Sequence, residues 1–147
     1  MRVACYSWVF ITPPTKAPHD LRPPPLRKGL ATRTQVMGQD FVDKALGGAT
    51  DFTQPMQEHI TAKAWGDVWQ RPGLELKTRS MITVAMLIAM GKQHELKGHV
   101  RGALNNGVTP AELQEILLHA AIYCGVPAAV EAFLTAAEVV DGPPRQA

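Results

Sequence analysis

The sequence predicts an all-α fold, a compact bundle of about six helices that follows a proline-rich N-terminal extension. From about residue 29 onward helical signals recur: apolar residues at helical spacing, helix caps, and Gly or Pro where segments of helix length end. No stretch shows the alternation of apolar and polar residues, bounded by turn residues, that is typical of a strand. With 147 residues, of which 46% are hydrophobic, the chain is long and apolar enough for one folded domain and is not globally disordered.

The first 28 residues differ in composition from the rest. Six of the twelve prolines lie between Pro13 and Pro25, and the triplet at 23–25 favours the extended polyproline conformation and excludes helix. We therefore expect residues 1–28 to form a flexible, disordered extension that carries no chemistry, or to result from a start codon placed too far upstream. The apolar stretch 3–11 is a weak signal-peptide pattern, because no small-residue cleavage site follows it.

Charge and cysteine usage exclude several classes of function. Residues 1–28 hold five basic residues and one acidic residue, whereas residues 29–147 hold ten basic and twelve acidic residues and carry a net charge of −2. A domain with this charge has no electrostatic footprint for nucleic acid. The two cysteines, Cys5 and Cys124, form no CxxC motif, and this usage is typical of the reducing cytoplasm. The longest apolar run, 81–90, is too short to span a membrane.

Three helices are predicted in the first half of the domain at residues 29–147. The first is ended by the paired glycines at 47–48, and the second carries Pro55 in its first turn, where the missing N–H has no intrahelical partner to lose. The third is apolar on nearly every side, so we expect it to be central and buried. Their predicted ranges are 34–46, 53–69 and 76–90.

Three further helices complete the predicted bundle. Gly91 separates the fourth from the third, and Gly107 ends the fourth in the left-handed conformation that glycine tolerates. The fifth begins at a capping box formed by Thr109 and Glu112, and Pro127 begins the sixth. Because so small a domain buries only about two-thirds of its surface, we expect some apolar faces to be buried between subunits. The predicted ranges are 92–105, 109–123 and 127–140.

The fourth predicted helix carries the strongest candidate for chemistry. Glu95 and His99 lie four residues apart, on a stripe next to the apolar face of that helix. A carboxylate one turn from an imidazole orients the ring and raises its pKa, so the pair would transfer a proton near neutral pH. The alternative is a solvated surface pair, which the spacing alone favours. Gly98 and Gly102 indicate that another helix or a ligand comes close to this side, since glycine is otherwise unfavourable in a helix.

Three further side chains are candidates for binding a substrate. Arg79 lies at the start of the third predicted helix and is either a surface charge or the edge of an anion pocket; the helix dipole disfavours a cation there, which favours the pocket, and Arg71 is a second candidate. Trp65 shares a helix face with Trp69 and is either a substrate wall or part of the core or of an interface. No metal site is predicted, because beside the Glu–His pair only His119 would remain as a third ligand, and only by coincidence of folding.

Between residues 59 and 127 the chain carries long, ordered blocks of residues. They read AWGDVWQRPGL at 64–74, TRS at 78–80, AMLIAM at 85–90, ELKGH at 95–99, NNGVT at 105–109 and AIYCGVPAA at 121–129. In these blocks the sequence resembles the gamma-carboxymuconolactone decarboxylases, a family of small all-helical enzymes of protocatechuate breakdown. The resemblance extends more loosely from about residue 29 to residue 140 and leaves residues 1–28 uncovered.

The resemblance implies a reaction and roles for the candidate residues. The reaction would be the decarboxylation of 4-carboxymuconolactone to β-ketoadipate enol-lactone, without a cofactor, in a ring-like homo-oligomer that is a homohexamer. His99 would protonate a ring carbon and Glu95 would orient it, while Arg79 and Arg71 anchor the substrate carboxylates beside Trp65. Two alternatives remain open: an enzyme of the same fold that acts on another lactone or on a peroxide, and a non-catalytic helical oligomer.

The wider group resembles the alkylhydroperoxidase D-like proteins, whose peroxidases use a CxxC pair followed by a His. Aligning that His with His99 places Lys92 and Glu95 at the positions of the two cysteines. The redox pair is therefore missing from this wall of the expected pocket. We expect no thiol peroxidase activity.

Overall fold

The computed structural model describes residues 23–142, and every regular element in this range is a helix. The helices are α1 Pro24–Met37, α2 Gln39–Gly47, α3 Gln54–Ile60, α4 Leu76–Ala89, α5 Gln93–Asn105, α6 Pro110–Tyr123 and α7 Val126–Val140. A π-helical segment, Thr61–Val68, directly continues α3. The all-α prediction is confirmed, with one helix more than the six expected. None of these helices combines the length and apolar character needed to cross a bilayer.

Helix α1 begins at Pro24, inside the segment that the sequence assigned to a flexible extension. The prediction that the proline triplet excludes helix is wrong. Pro23 keeps an extended conformation, with φ −54° and ψ 145°, and precedes the helix, while Pro24 and Pro25 occupy its first two positions. A proline there lacks only an N–H that has no intrahelical acceptor, and its φ already suits a helix. The other expectations for the extension concern residues 1–22, which lie outside the described residues.

The predicted helix 34–46 is in fact the end of α1 and most of α2. Gly38 separates them with a φ of 90°, a conformation that glycine adopts without the steric penalty of a side chain. The interruption lets both helices pack on α5. A Cβ atom on Gly98 would lie 3.2 Å from the Phe41 ring, and one on Gly102 would lie 3.1 Å from the Met37 sulfur. Of the two expected neighbours, a helix or a ligand, it is therefore helices α1 and α2 that come close to Gly98 and Gly102.

Two apolar clusters form the core. The larger is built by α4, α5, α6 and α7, and its buried members include Val84, Ile88, Leu96, Val100, Leu113, Leu117 and Ala132. The smaller joins α1, α2 and the π-helical segment through Val36, Met37, Val42 and Trp65. Helix α5 lies between them, because its residues contribute to the larger cluster while its glycines face α1 and α2. A side chain on the remaining face of α5 therefore lies at the boundary between the two apolar clusters.

Helix α4 is only half-buried, so the expectation of a central, enclosed helix is wrong. Ser80, Val84 and Ile88 face the core, whereas Met86 is 58% exposed although it is apolar.

The capping box at the start of α6 is confirmed, because the Thr109 hydroxyl accepts from the Glu112 backbone N–H and the Glu112 carboxylate accepts from the backbone N–H of Thr109. Hydrogen bonds from Lys77 and Thr109 lower the pKa of Glu112 to about 2, and the Lys77 ammonium thereby ties α4 to α6.

Candidate active site

The site is centred on His99, which α5 presents toward the π-helical segment. The His99 imidazole stacks on the Trp65 indole with a centroid distance of 6.1 Å and an interplanar angle of 7°. Trp65 is only 6% exposed and packs in turn against Trp69, with ring centroids 4.6 Å apart. The prediction that the two tryptophans share a face is confirmed, and one of them is a wall of the His99 environment.

Trp65 lies within the π-helical segment and Trp69 directly follows it. The Trp69 N–H donates to the Ala64 carbonyl five residues earlier at 2.9 Å, whereas an α-helix would pair residues four apart. π-helical turns are rare in proteins, and those that occur are often found at functional sites. The sequence predicted a continuous α-helix here, because periodicity alone does not distinguish one widened turn from a regular one.

The pKa of His99 is shifted in the direction opposite to the one expected from the sequence. Burial lowers the pKa of His99 below its ordinary value, and the negative charge of Glu95 raises it by a smaller amount. The expected influence of Glu95 is present, but the desolvation of the half-buried ring outweighs it. Within residues 23–142 no hydrogen bond joins the two side chains, and Glu95 is exposed. Glu95 therefore acts on His99 through its charge.

Arg79 and Arg71 meet at the loop that follows the π-helical segment. The Arg79 Nη2 donates to the Arg71 carbonyl oxygen at 2.8 Å, while the Arg71 side chain itself is exposed. The Arg79 Nε is buried without a hydrogen-bond partner, and no carboxylate in the described chain pairs with this guanidinium. No hydrogen bond or ring contact between described residues joins Arg79 to His99; the two are linked through Trp65, Trp69 and the loop.

Arg33 is a charged residue of the same region that the sequence reasoning missed. It is 4% exposed on α1, and burial lowers its pKa. Its Nη1 donates to the Thr61 hydroxyl and its Nη2 to the side-chain Oε1 of Gln57, both at 2.9 Å. The spacing of Leu30, Arg33 and Met37 on one helix face could have revealed it, but the predicted first helix began only at residue 34.

A large surface concavity lies elsewhere in the described part of the chain. It is an open groove of about 1050 Å³ between α4 and α6, and its lining is mostly apolar, with Ile82, Leu118, His119, Tyr123 and Cys124 among its members. None of the predicted site residues lines it. Nor do three His, Cys, Asp or Glu side chains of the described chain converge so as to hold a metal ion. We place the candidate site at His99, because its partly buried imidazole stacks on Trp65 and has a pKa that burial lowers.

Comparison with known proteins agrees with the motif resemblance. A model of the Carboxymuconolactone decarboxylase family matches residues 54–138. The nitrosuccinic acid decarboxylase npaB of Metarhizium robertsii is 47% identical over 114 residues, which cover 78% of this chain and 80% of that protein. The 4-carboxymuconolactone decarboxylase of Acinetobacter baylyi is 46% identical over 113 residues, which cover 77% and 84%. The chain belongs to the carboxymuconolactone decarboxylase family.

Proposed function

We propose that this chain is a decarboxylase that converts 4-carboxymuconolactone into β-ketoadipate enol-lactone, in the protocatechuate branch of aromatic catabolism, without a cofactor. The observation that carries the proposal is the half-buried imidazole of His99, stacked on Trp65 and linked by the tryptophan pair to the loop that Arg79 contacts. The 46% identity to a protein named for this reaction supports the choice of substrate.

The chemistry explains why such a site would suffice. The substrate is a five-membered unsaturated lactone with a carboxylate on the ring carbon next to the ring oxygen. When the bond to this carboxylate breaks, CO2 leaves and the electron pair passes through the ring double bond to the lactone carbonyl oxygen. The resulting anion takes one proton on a ring carbon. The substrate is thus its own electron sink, and the protein has to bind it, stabilise the oxyanion and deliver the proton.

His99 fits the role of proton donor once the substrate is bound. Its lowered pKa keeps the ring mostly neutral in the free protein at neutral pH. A bound dicarboxylate adds negative charge close to the ring, and negative charge favours the imidazolium form. Glu95 acts in the same direction. The imidazolium then gives its proton to the ring carbon as the negative charge moves onto the substrate.

A nitro-substituted dicarboxylate is the second candidate substrate, because the relative named nitrosuccinic acid decarboxylase is 47% identical. Loss of the carboxylate on the carbon that bears the nitro group leaves an electron pair that the nitro oxygens accept, and protonation of that carbon completes the reaction. Both candidates therefore need carboxylate binding, an oxyanion environment and one proton donor.

A peroxide substrate is disfavoured, because Cys124 is the single free cysteine of the described chain. A cytoplasmic location stays a prediction from the cysteine usage.

A direct assay tests the proposal on the full chain. We expect CO2 release and enol-lactone formation from 4-carboxymuconolactone generated in situ, with no added cofactor and with a chelator present. Nitrosuccinate and the lactone without its carboxylate are assayed in parallel. Turnover of nitrosuccinate alone would contradict the lactone assignment, and a folded sample that turns over neither acid would contradict decarboxylation itself.

We also propose that the chain assembles into a homohexamer. Apolar side chains that are 38% to 78% exposed occur on three neighbouring helices or directly at their ends: Ile82 and Met86 on α4 with Met90 just after it, Leu118, Ile122 and Tyr123 on α6, and Val126, Val130 and Leu134 on α7. The first and the last of these sets form stripes at i, i+4 and i+8, and Ile82, Leu118 and Tyr123 line the open groove. Apolar surface of this extent is typical of an interface.

Sedimentation velocity tests the assembly. We expect the wild-type chain to sediment at six times the 16.0 kDa mass of one chain. Ile122→Glu should release smaller species, because it places a charge where apolar surface is to be buried. Phe52→Glu is the control, since Phe52 is exposed on the connection between α2 and α3, away from these stripes. A monomeric wild-type protein would refute the proposal.

A further inference from the structure

Helix α1 and the π-helical segment touch at the level of their backbones. A Cβ atom on Gly29 would lie 1.9 Å from the Thr61 carbonyl oxygen, and one on Gly66 would lie 2.5 Å from the Pro25 carbonyl oxygen. Only glycine allows so close a crossing. The π-helical segment therefore rests directly on a helix that lies outside residues 54–138, the part matched by the family model.

Arg33 reinforces this crossing with side-chain hydrogen bonds. Its guanidinium donates to Thr61 and to Gln57, and the Thr61 hydroxyl donates to the Gln57 backbone carbonyl at 2.7 Å. The charge is almost completely buried, its Nε has no partner, and no carboxylate of residues 23–142 neutralises it. A buried cation that lacks a counter-ion is unfavourable for folding, so its presence calls for another explanation.

The residues that Arg33 holds lie where the helical hydrogen bonding changes. Gln57 belongs to α3, and Thr61 is the first residue of the π-helical segment. Trp65 follows one turn later on the same segment and stacks on His99. A shift of one residue in this segment would rotate Trp65 by about 100° around the helix axis and remove its ring from His99.

We propose that Arg33 is a positioning residue: by binding Thr61 and Gln57, it sets the register of the π-helical segment and so holds the Trp65 indole against the His99 imidazole. Its catalytic consequence rests on the proposed function. Its structural consequence, the ring stack, is measurable without turnover.

Carbon-proton NMR of the His99 imidazole in the full chain tests the proposal. Trp65→Leu, which removes the indole, defines the chemical shifts of an unstacked ring, and His99→Gln identifies the signals. Arg33→Met and the isosteric Thr61→Val are expected to move the His99 shifts toward those of Trp65→Leu, and Arg33→Lys should give an intermediate shift because it lacks the planar fork of donors. Thr61→Val retains the side-chain volume and keeps the test valid if Arg33→Met does not fold.

Lys63→Gln is the matched control. Lys63 lies on the same segment but on its exposed side, where it pairs with Asp67 at 3.0 Å, so its removal should leave the His99 shifts unchanged. Folded Thr61→Val protein with wild-type His99 shifts would overturn the proposal.

Kinetics separate this proposal from the proposed function. In an active enzyme, Thr61→Val should lower kcat at least 10-fold with little change in KM, because the proton donor is misplaced while the carboxylate contacts remain. A loss confined to KM would overturn the positioning role. If the wild-type chain turned over neither candidate substrate, moved His99 shifts in the variants would still support the positioning role, and only the proposed function would fail.

Discussion

Replacing His99 with glutamine is expected to lower kcat/KM by about 100-fold to 10,000-fold, the usual contribution of a positioned proton donor. Glutamine fills much of the space beside Trp65 but cannot carry the proton to the substrate carbon. The effect should appear in kcat, because the proton is delivered only in the transition state. Steady-state decarboxylation assays on folded, assembled protein provide the measurement.

His94→Gln is the matched control for this substitution. His94 lies on the same helix, is exposed, and is not part of the stack on Trp65, so its replacement should leave kcat/KM unchanged. Full activity of the folded His99→Gln variant would refute the assignment of His99 as the proton donor.

The pH dependence of kcat/KM supports the same assignment from a second direction. Burial holds the pKa of His99 below its ordinary value of 6.5, and Glu95 partly counteracts this. Because only the imidazolium donates, kcat/KM should fall as the pH rises through this lowered pKa. Glu95→Gln removes the charge that raises the pKa of His99, so the falling limb should move to lower pH. A rate that rises with pH over this range would contradict a proton donor.

Replacing Arg79 with glutamine is expected to lower kcat/KM by roughly 10-fold to 100-fold, the equivalent of about 1.5–3 kcal/mol for a hydrogen bond to a charged group. The loss should appear as a higher KM. An arginine that held the departing carboxylate would stabilise the ground state and oppose CO2 loss, so Arg79 should hold the carboxylate that the product keeps. Initial rates over a range of substrate concentrations separate KM from kcat.

Three comparisons sharpen the test of Arg79. Arg79→Lys should recover only part of the affinity, because lysine keeps the charge and loses the planar fork of donors. Arg71→Gln should have the smaller effect, since the Arg71 side chain is exposed and the Arg79 contact uses only the backbone carbonyl of Arg71, which the substitution keeps. Lys63→Gln removes an exposed charge and should change neither parameter. An unchanged KM in Arg79→Gln would exclude it as a substrate anchor.

Much of the fold followed from signals between residues close in sequence. The glycines at 38, 91, 107 and 125 all adopt positive φ, and Gly91 and Gly107 were recognised as helix ends or breaks. The capping box of α6 was predictable for the same reason, since its hydrogen bonds join residues three apart. Gly38 was not recognised as a helix break, because the helical spacing of apolar residues continues across it and does not show that the backbone changes direction there.

The spacing of Glu95 and His99 in the candidate site was predictable, and its electrostatics were not. Glu95 and His99 share a helix face at a spacing that needs no tertiary information, and the ordered motifs identified the family before any coordinates. The net direction of the His99 pKa was not predictable, because desolvation depends on the rings and helices that other parts of the chain bring to it. The roles of these residues stay predictions until the variants are measured.

Helix ends, the capping box and the Glu95–His99 spacing are properties of short stretches of sequence, because backbone preferences and helical hydrogen bonds act over three to five residues. The tertiary structure alone decided that α1 belongs to the domain, that α3 continues into a π-helical segment, and that Trp65 stacks on His99. It also decided that Arg33 is buried and that one face of α4 is exposed. The reason is physical: burial, and the change in charge behaviour that it causes, depends on which distant surfaces pack together, and helical periodicity in one segment does not specify its partner.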